Sequence, residues 1–321
     1  MSDLANMRKD PKSNSGFSLL EMMISTVILL GVSGVVMSGL LQTTHTEGTV
    51  QNRTEMHAAV RSATELMQQE IGQAGRIALP AAVTLAAAVA AGPSVSATLS
   101  STAGMFANEY LVVDAGSNQE TVQIISIGSG SITAAFRLAH ASGVPVSVQG
   151  GFGTGVVPES ASPYNMTNGS DGTHLKLYGD INDDGKMVYV EYICDWQTSG
   201  NLYRSVSAFD ATTIGAKQVL LPNLYNGGNP GGTPCFVYQE EPSGCAATSA
   251  TNPCFVTDVA VTLTVQTQLP DPSTGAYQKE TKALLNVSPR NVFDAYQLST
   301  LSNNRVEPMP STVTALLSQT P

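Results

Sequence analysis

The chain has 321 residues, with 15 Lys and Arg against 25 Asp and Glu, a formal net charge of −10. That balance argues against a nucleic-acid partner, which needs a basic surface. The 42% hydrophobic share excludes a wholly disordered chain, and the 12% charged share excludes a coiled coil. The length suits one large domain or two modest ones.

Met1 to Gly16 is polar and carries Arg8, Lys9 and Lys12. Phe17 to Leu41 follows as an apolar run with one charge, Glu21. As a helix this run is about 38 Å long, enough to cross a bilayer core with some tilt. A secretory signal has a shorter apolar core followed by a small-residue cleavage site, and neither feature is present. Basic residues beside a first span stay on the cytoplasmic side, so the N-terminus is expected inside and the rest exported. A carboxylate at a helix centre within a membrane costs roughly 2.5–3.5 kcal/mol. Near the helix start Glu21 can reach the interface and suits the positive dipole end. The alternative is that it awaits a cationic partner within the membrane.

From Gln42 the pattern is that of an amphipathic helix. Met56, Val60, Ala63, Met67, Ile71 and Ala74 recur at three- or four-residue spacing, with Glu55, Arg61, Glu65, Gln69 and Arg76 on other faces. Gly75 and Pro80 are stop signals, so the helix is expected to end near Ile77. Met56 and Met67 read as core, and His45 and His57 as solvated.

Gly16-Phe17-Ser18-Leu19-Leu20-Glu21, behind a short basic leader and ahead of an apolar span, resembles the prepilin cleavage and methylation motif of type IV pilins and type II secretion pseudopilins. The resemblance implies that a prepilin peptidase cuts between Gly16 and Phe17 and methylates the Phe17 amine. It also implies that Glu21 pairs with the amine of a neighbouring subunit, and that the glycines at Gly31, Gly34 and Gly39 let the span stretch in a filament. Leu66 to Gly75, with one residue more between Leu66 and Glu70, resembles the LxxEIxxAG stretch of minor pilins of the PilW type and the related GspJ-type pseudopilins. Ser288-Pro289-Arg290-Asn291-Val292 resembles the close of that domain. The likeness is strong over residues 1–77 and weak over 171–293, and residues 80–160 depart from it.

Pro80 to Thr102 reads as extended strand or linker. Met105 to Val148 holds short β-branched runs between Gly and Ser turns, a small β module inserted after the stalk. Asp114-Ala115-Gly116, Glu120-Thr121-Val122 and His140-Ala141-Ser142-Gly143 loosely resemble short β repeats of other surface proteins. Gly150 to Gly155 lacks the Lys of a phosphate loop and reads as a flexible linker. From Leu175 a second β region begins, with HLKLYGD and KMVYVEYICDW flanking the turn INDDG, and LYRSVSAF, CFVYQE, VTDVAVTLTVQT and KALLNVSP as further strands.

Asp180, Asn182, Asp184 and Glu191, with Gly185 at the sixth position and the Lys186 carbonyl at the seventh, satisfy the spacing of a twelve-residue Ca²⁺ loop. The flanks are strand-like rather than helical, so the same residues also fit an Asx- and Gly-rich hairpin turn. Cys194, Cys235, Cys245 and Cys254 all lie in the exported part, where two disulfides form; of three pairings, Cys194–Cys235 and Cys245–Cys254 are favoured. No C-x₂-C pair supports a zinc site, and neither His140 nor His174 has a ligand at metal spacing. No G-x-S-x-G, H-E-x-x-H or Walker pattern is present, so the expectation is a non-enzyme.

The expected class is α+β: a long N-terminal membrane-and-stalk helix packed on an antiparallel β domain, with a small inserted β module. The expected segments are a leader (1–16), a membrane half-helix (17–41), a stalk (42–78), the insert (79–158), the β domain (159–298) and a polar tail (299–321). The expected role is a minor pilin at the tip or priming complex of a type IV pilus, with a type II secretion pseudopilin or a calcium-dependent tip adhesin as alternatives. Its partners would be the prepilin peptidase, the other major and minor pilins, and the inner membrane before assembly; no nucleic acid and no required cofactor are expected, Ca²⁺ being the one candidate. The leader holds three basic and two acidic residues, so the remainder, with 12 basic and 23 acidic, carries −11.

Overall fold

A computed structural model describes residues 16–247, 252–301 and 306–319. Helix α1 (Leu19–Gln73) is 55 residues long and runs unbroken through Gly31, Gly34 and Gly39. At about 1.5 Å per residue it spans roughly 80 Å. Its two halves differ in surroundings. Every residue from Leu19 to Leu41 is exposed, whereas Met56, Val60, Ala63, Met67 and Ile71 are buried. The stripe predicted by spacing is therefore the face that packs. It is the one helix among the described residues long and apolar enough to cross a membrane.

The C-terminal β domain has two antiparallel sheets. One has the order β10 (Gln218–Leu221), β9 (Asn201–Ala208), β8 (Val188–Asp195), β7 (His174–Gly179). The other has the order β11 (Phe236–Glu241), β12 (Phe255–Gln266), β13 (Lys279–Val287). The stripe of α1, the inner faces of both sheets and helix α2 (Arg290–Ser299) share one core, in which Val190, Tyr192, Leu202, Phe236, Val261 and Leu263 are almost wholly buried. Strand β12 alternates in burial along much of its length, as its Val/Thr pattern requires.

The insert is a unit with its own core. Strands β1 (Val83–Thr84), β2 (Gly92–Thr98), β3 (Tyr110–Val113), β4 (Glu120–Gly128), β5 (Ser131–Phe136) and β6 (Pro145–Val148) form an antiparallel sheet in the order β1-β6-β3-β4-β5-β2. An antiparallel bridge from Leu85 to Leu99 joins the two ends of that order, so the sheet closes on itself. Leu85, Leu111, Ile124, Ile132 and Ala134 fill its interior. Closure removes the exposed edges of the sheet. Pro80 to Thr102, expected as strand or linker, thus supplies two strands of this sheet.

Three expectations need correction. The helix ends at Gln73 rather than near Ile77, because Gly75 turns the chain at φ +82° and its N–H donates to the Tyr178 carbonyl at 2.9 Å. Gly150 to Gly155 is not a loose linker. Its Phe152 is wholly buried, its Phe152 N–H donates to the Gly75 carbonyl at 2.7 Å, and the Gly155 carbonyl accepts from Tyr178 N–H at 2.8 Å. A Cβ on Gly155 would stand 2.1 Å from the Gly75 Cα, so two glycines cross backbone to backbone where helix, insert and sheet meet. Finally, the expected polar tail contains helix α3 (Ser311–Leu317), whose Val313, Leu316 and Leu317 are buried with Ile77, Phe106, Phe152 and Tyr189.

Candidate functional site

The N-terminal end of α1 carries the residues that the prepilin resemblance marks. Gly16 and Phe17 precede the helix, Ser18 is its N-cap residue, and Glu21 lies in its first turn. A carboxylate there complements the partial positive charge of the helix start. Phe17 is 76% exposed and Glu21 is exposed, as are all their neighbours on the span. Leu19, Leu20, Met22, Val27, Leu30, Val35 and Leu40 each leave half or more of their surface uncovered. At roughly 25 cal/mol per Å² of apolar surface, such a rod is strongly driven out of water.

The stalk half is locked to the β domain by a polar contact inside the core. Glu70 is 2% exposed. Its carboxylate accepts from the Tyr192 hydroxyl on β8 and from the Arg204 guanidinium on β9, Nε at 3.1 Å and a second nitrogen closer still. Burial lowers the Arg204 pKa but the Glu70 bonds raise it overall, while burial and the Glu70 charge both raise that of Tyr192. The LxxEIxxAG stretch thus has a physical content here: Ile71 and Ala74 fill the core, Glu70 fixes the rotation of the helix, and Gly75 lets the chain leave it.

The acidic turn is built differently from a twelve-residue Ca²⁺ loop. Asp180 is 1% exposed, and its two oxygens accept the N–H groups of Asp184 at 3.0 Å and Gly185 at 3.3 Å. Asp184 accepts from its own neighbour, Lys186 N–H, at 3.0 Å. Asn182, Asp184 and Lys186 are exposed, and Asp183 pairs with Arg76 at 2.5 Å. Glu191 lies in β8 opposite Lys176 of β7, several residue pairs from the turn, with its carboxylate 3.9 Å from the Lys176 ammonium. The structure therefore brings Asp180, Asn182, Asp184 and Lys186 into one turn and leaves Glu191 elsewhere. Turn and helix exit are packed together, since Asp180 N–H donates to the Arg76 carbonyl at 2.8 Å.

All four cysteines are buried and paired as favoured from sequence: Cys194 with Cys235, and Cys245 with Cys254. The first bond joins β8 of one sheet to the start of β11 in the other. The second closes a loop after β11.

Two polar sites in and beside the insert escaped the sequence reading. His140 has a fully buried side chain held between Asp114 at 3.1 Å and Glu120 at 2.7 Å, with Asn118 Nδ2 also bonded to Asp114. Glu120 further accepts from the backbone N–H groups of Arg137 and Leu138. Burial opposes the imidazolium, but the two carboxylates outweigh it and raise the His140 pKa, while Asn118 and His140 hold Asp114 down at about 2. These three residues fall in the segments that loosely resemble surface β repeats, so a signal was present. The second site joins the insert to the C-terminal segment. Glu307 accepts Tyr110 N–H with both oxygens, at 2.9 and 3.1 Å, while Glu109 accepts Phe106 N–H at 3.1 Å. Burial pushes both carboxyls up to about 8, and Glu109 adds to the effect on Glu307. Both histidines expected as solvated, His45 and His57, are exposed, and His57 also pairs with Glu280 of β13.

Comparison with protein families, with curated proteins and with solved structures finds no match to this chain. What is established is the class: an exposed apolar N-terminal helix continuous with a stalk packed on an antiparallel β domain, a pilin-like shape.

Proposed function

We propose that this chain is a minor pilin or pseudopilin subunit. It inserts by residues 17–41 into the inner membrane with its N-terminus on the cytoplasmic side, is cut after Gly16, and enters a filament through the same helix. The observation that carries this reading is the division of α1. One half is apolar and uncovered over its full circumference; the other is seated on a folded domain through Glu70 and the Met56 to Ile71 stripe. A helix of that kind has two outlets, a bilayer and the packed helices of a filament core, and both satisfy its backbone internally. The motif Gly16 to Glu21 supports passage from one to the other. A lone carboxylate in the low-dielectric interior is costly, and an amine on the neighbouring subunit offsets that cost.

The filament is taken to be a type IV pilus, with the subunit at its tip or priming complex and major and minor pilins as partners; a type II secretion pseudofilament is the alternative. In the adhesin reading, the self-contained insert is the binding head. The experiment is to follow wild type and Glu21→Ala in cells that assemble a filament. The proposal expects both forms in the inner membrane, both shortened by the leader, with only wild type recovered in sheared filaments. Equal recovery of Glu21→Ala would contradict the role given to Glu21.

A further inference from the structure

Glu240, Cys245 and Cys254 offer a carboxylate oxygen and two sulfurs, all within 4.8 Å of one another. The residues are 6%, 1% and 0% exposed. Glu240 sits on β11 just past a register shift, where its side chain turns inward. One oxygen accepts Glu159 N–H at 2.7 Å. The other faces Cys245 Sγ at 4.0 Å, and a disulfide sulfur has no proton to donate. A buried carboxylate oxygen aimed at two sulfurs is poorly served while those sulfurs are bonded to each other.

We infer that the reduced form of this pair, together with Glu240, binds a divalent ion of borderline softness such as Zn²⁺. A dithiol reductant supplies two electrons and two protons and is itself converted to a disulfide, leaving Cys245 and Cys254 as thiols. Binding of the ion displaces both thiol protons to solvent. Two thiolates and one carboxylate then occupy three positions of a tetrahedron, and a solvent molecule takes the fourth. On the Cys254 side the group borders a cavity of about 230 Å³, lined also by Phe255, Met166 and Met309. The loop after β11 is thus closed in two alternative ways, by a covalent bond after oxidation and by a metal bridge before it. The Cys194–Cys235 pair belongs to no such group among the described residues and serves as the internal control.

The test uses the full chain in detergent, reduced and desalted without oxygen, and titrated with Co²⁺ as a spectroscopic stand-in for Zn²⁺. The inference expects a thiolate-to-metal absorption band that saturates at one Co²⁺ per chain and is bleached by Zn²⁺. The band survives in a Cys194→Ser/Cys235→Ser variant and is lost in Cys245→Ser. Glu240→Gln, of nearly unchanged shape, weakens Co²⁺ binding by about tenfold or more. The oxidised wild-type chain keeps Glu240 and binds no Co²⁺ at this site, a comparison that stands even where a variant does not fold. Absence of the band in the reduced chain, its dependence on Cys194 and Cys235, or unchanged affinity in folded Glu240→Gln would overturn the inference.

Discussion

Replacing Glu70 with alanine tests how the stalk is held. The carboxylate is 2% exposed and takes donors from two strands, Tyr192 of β8 and Arg204 of β9. Its loss leaves a guanidinium whose side chain is only 21% exposed, and a buried tyrosine hydroxyl, without their acceptor. Removing one partner of a buried ion pair costs about 3–5 kcal/mol, and the partial exposure of Arg204 places the expectation near the lower end, about 3 kcal/mol. The pair itself is worth far less, because its desolvation cost is also removed when both partners go. Glu70→Leu with Arg204→Met and Tyr192→Phe should therefore lie within about 1 kcal/mol of wild type. Urea unfolding of the detergent-solubilised chain, followed by the single Trp196, gives these values as shifts in midpoint at constant slope. A Glu70→Ala cost below about 1 kcal/mol, or a triple variant as unstable as the single one, would refute the account of a buried pair fixing the helix.

Further expectations concern the seam and the insert. Gly155→Ala forces a Cβ to 2.1 Å from the Gly75 backbone, so it should cost about 1–3 kcal/mol, read as a fall in Tm; an unchanged Tm would contradict the close crossing. The raised His140 pKa means that its imidazolium stabilises the insert fully below the ordinary value near 6.5 and that this is lost as pH rises through the raised folded value. Exchange protection of β4 and β5 amides should decline as pH rises through that interval, and His140→Gln should remove the pH dependence. For Glu109 and Glu307 the sign is opposite to that of a salt-bridged carboxylate. The folded state holds their protons up to about 8 while the unfolded chain releases them near 4.5, so their contribution weakens as pH rises between those values. Glu307→Gln should then flatten the decline of Tm between pH 5 and pH 8, and an unaltered slope would show that the carboxyl is not titrating there.

How much of this was legible follows from the range of the interactions involved. The stripe from Met56 to Ala74 was readable because helical periodicity is local, and the two disulfides because few pairings exist for four cysteines. Strand β12 was readable through its alternation. Strand β8 is buried on both faces, so no alternation showed where Glu191 points, and pairing opposite Lys176 took it away from the acidic turn. Glu70 meets residues 122 and 134 positions away, and no spacing rule reaches that far. Helix α3 has seven residues and begins after Pro310, too short for a periodic signal, and its burial depends on Phe106 and Phe152 from the insert and its exit. The Gly75–Gly155 crossing was misread because a glycine-rich run looks the same whether it is free or pressed against another backbone.

The central claim is that the apolar half of α1 is a processed membrane-and-filament helix. Intact mass and N-terminal sequencing of the chain, expressed in membranes with and without a prepilin peptidase, test it most directly. The account predicts loss of residues 1–16 only when the peptidase is present, with Phe17 as the new N-terminal residue and its amine methylated. Retention of Met1 to Gly16 in the presence of an active peptidase, or cleavage at another bond, would contradict it.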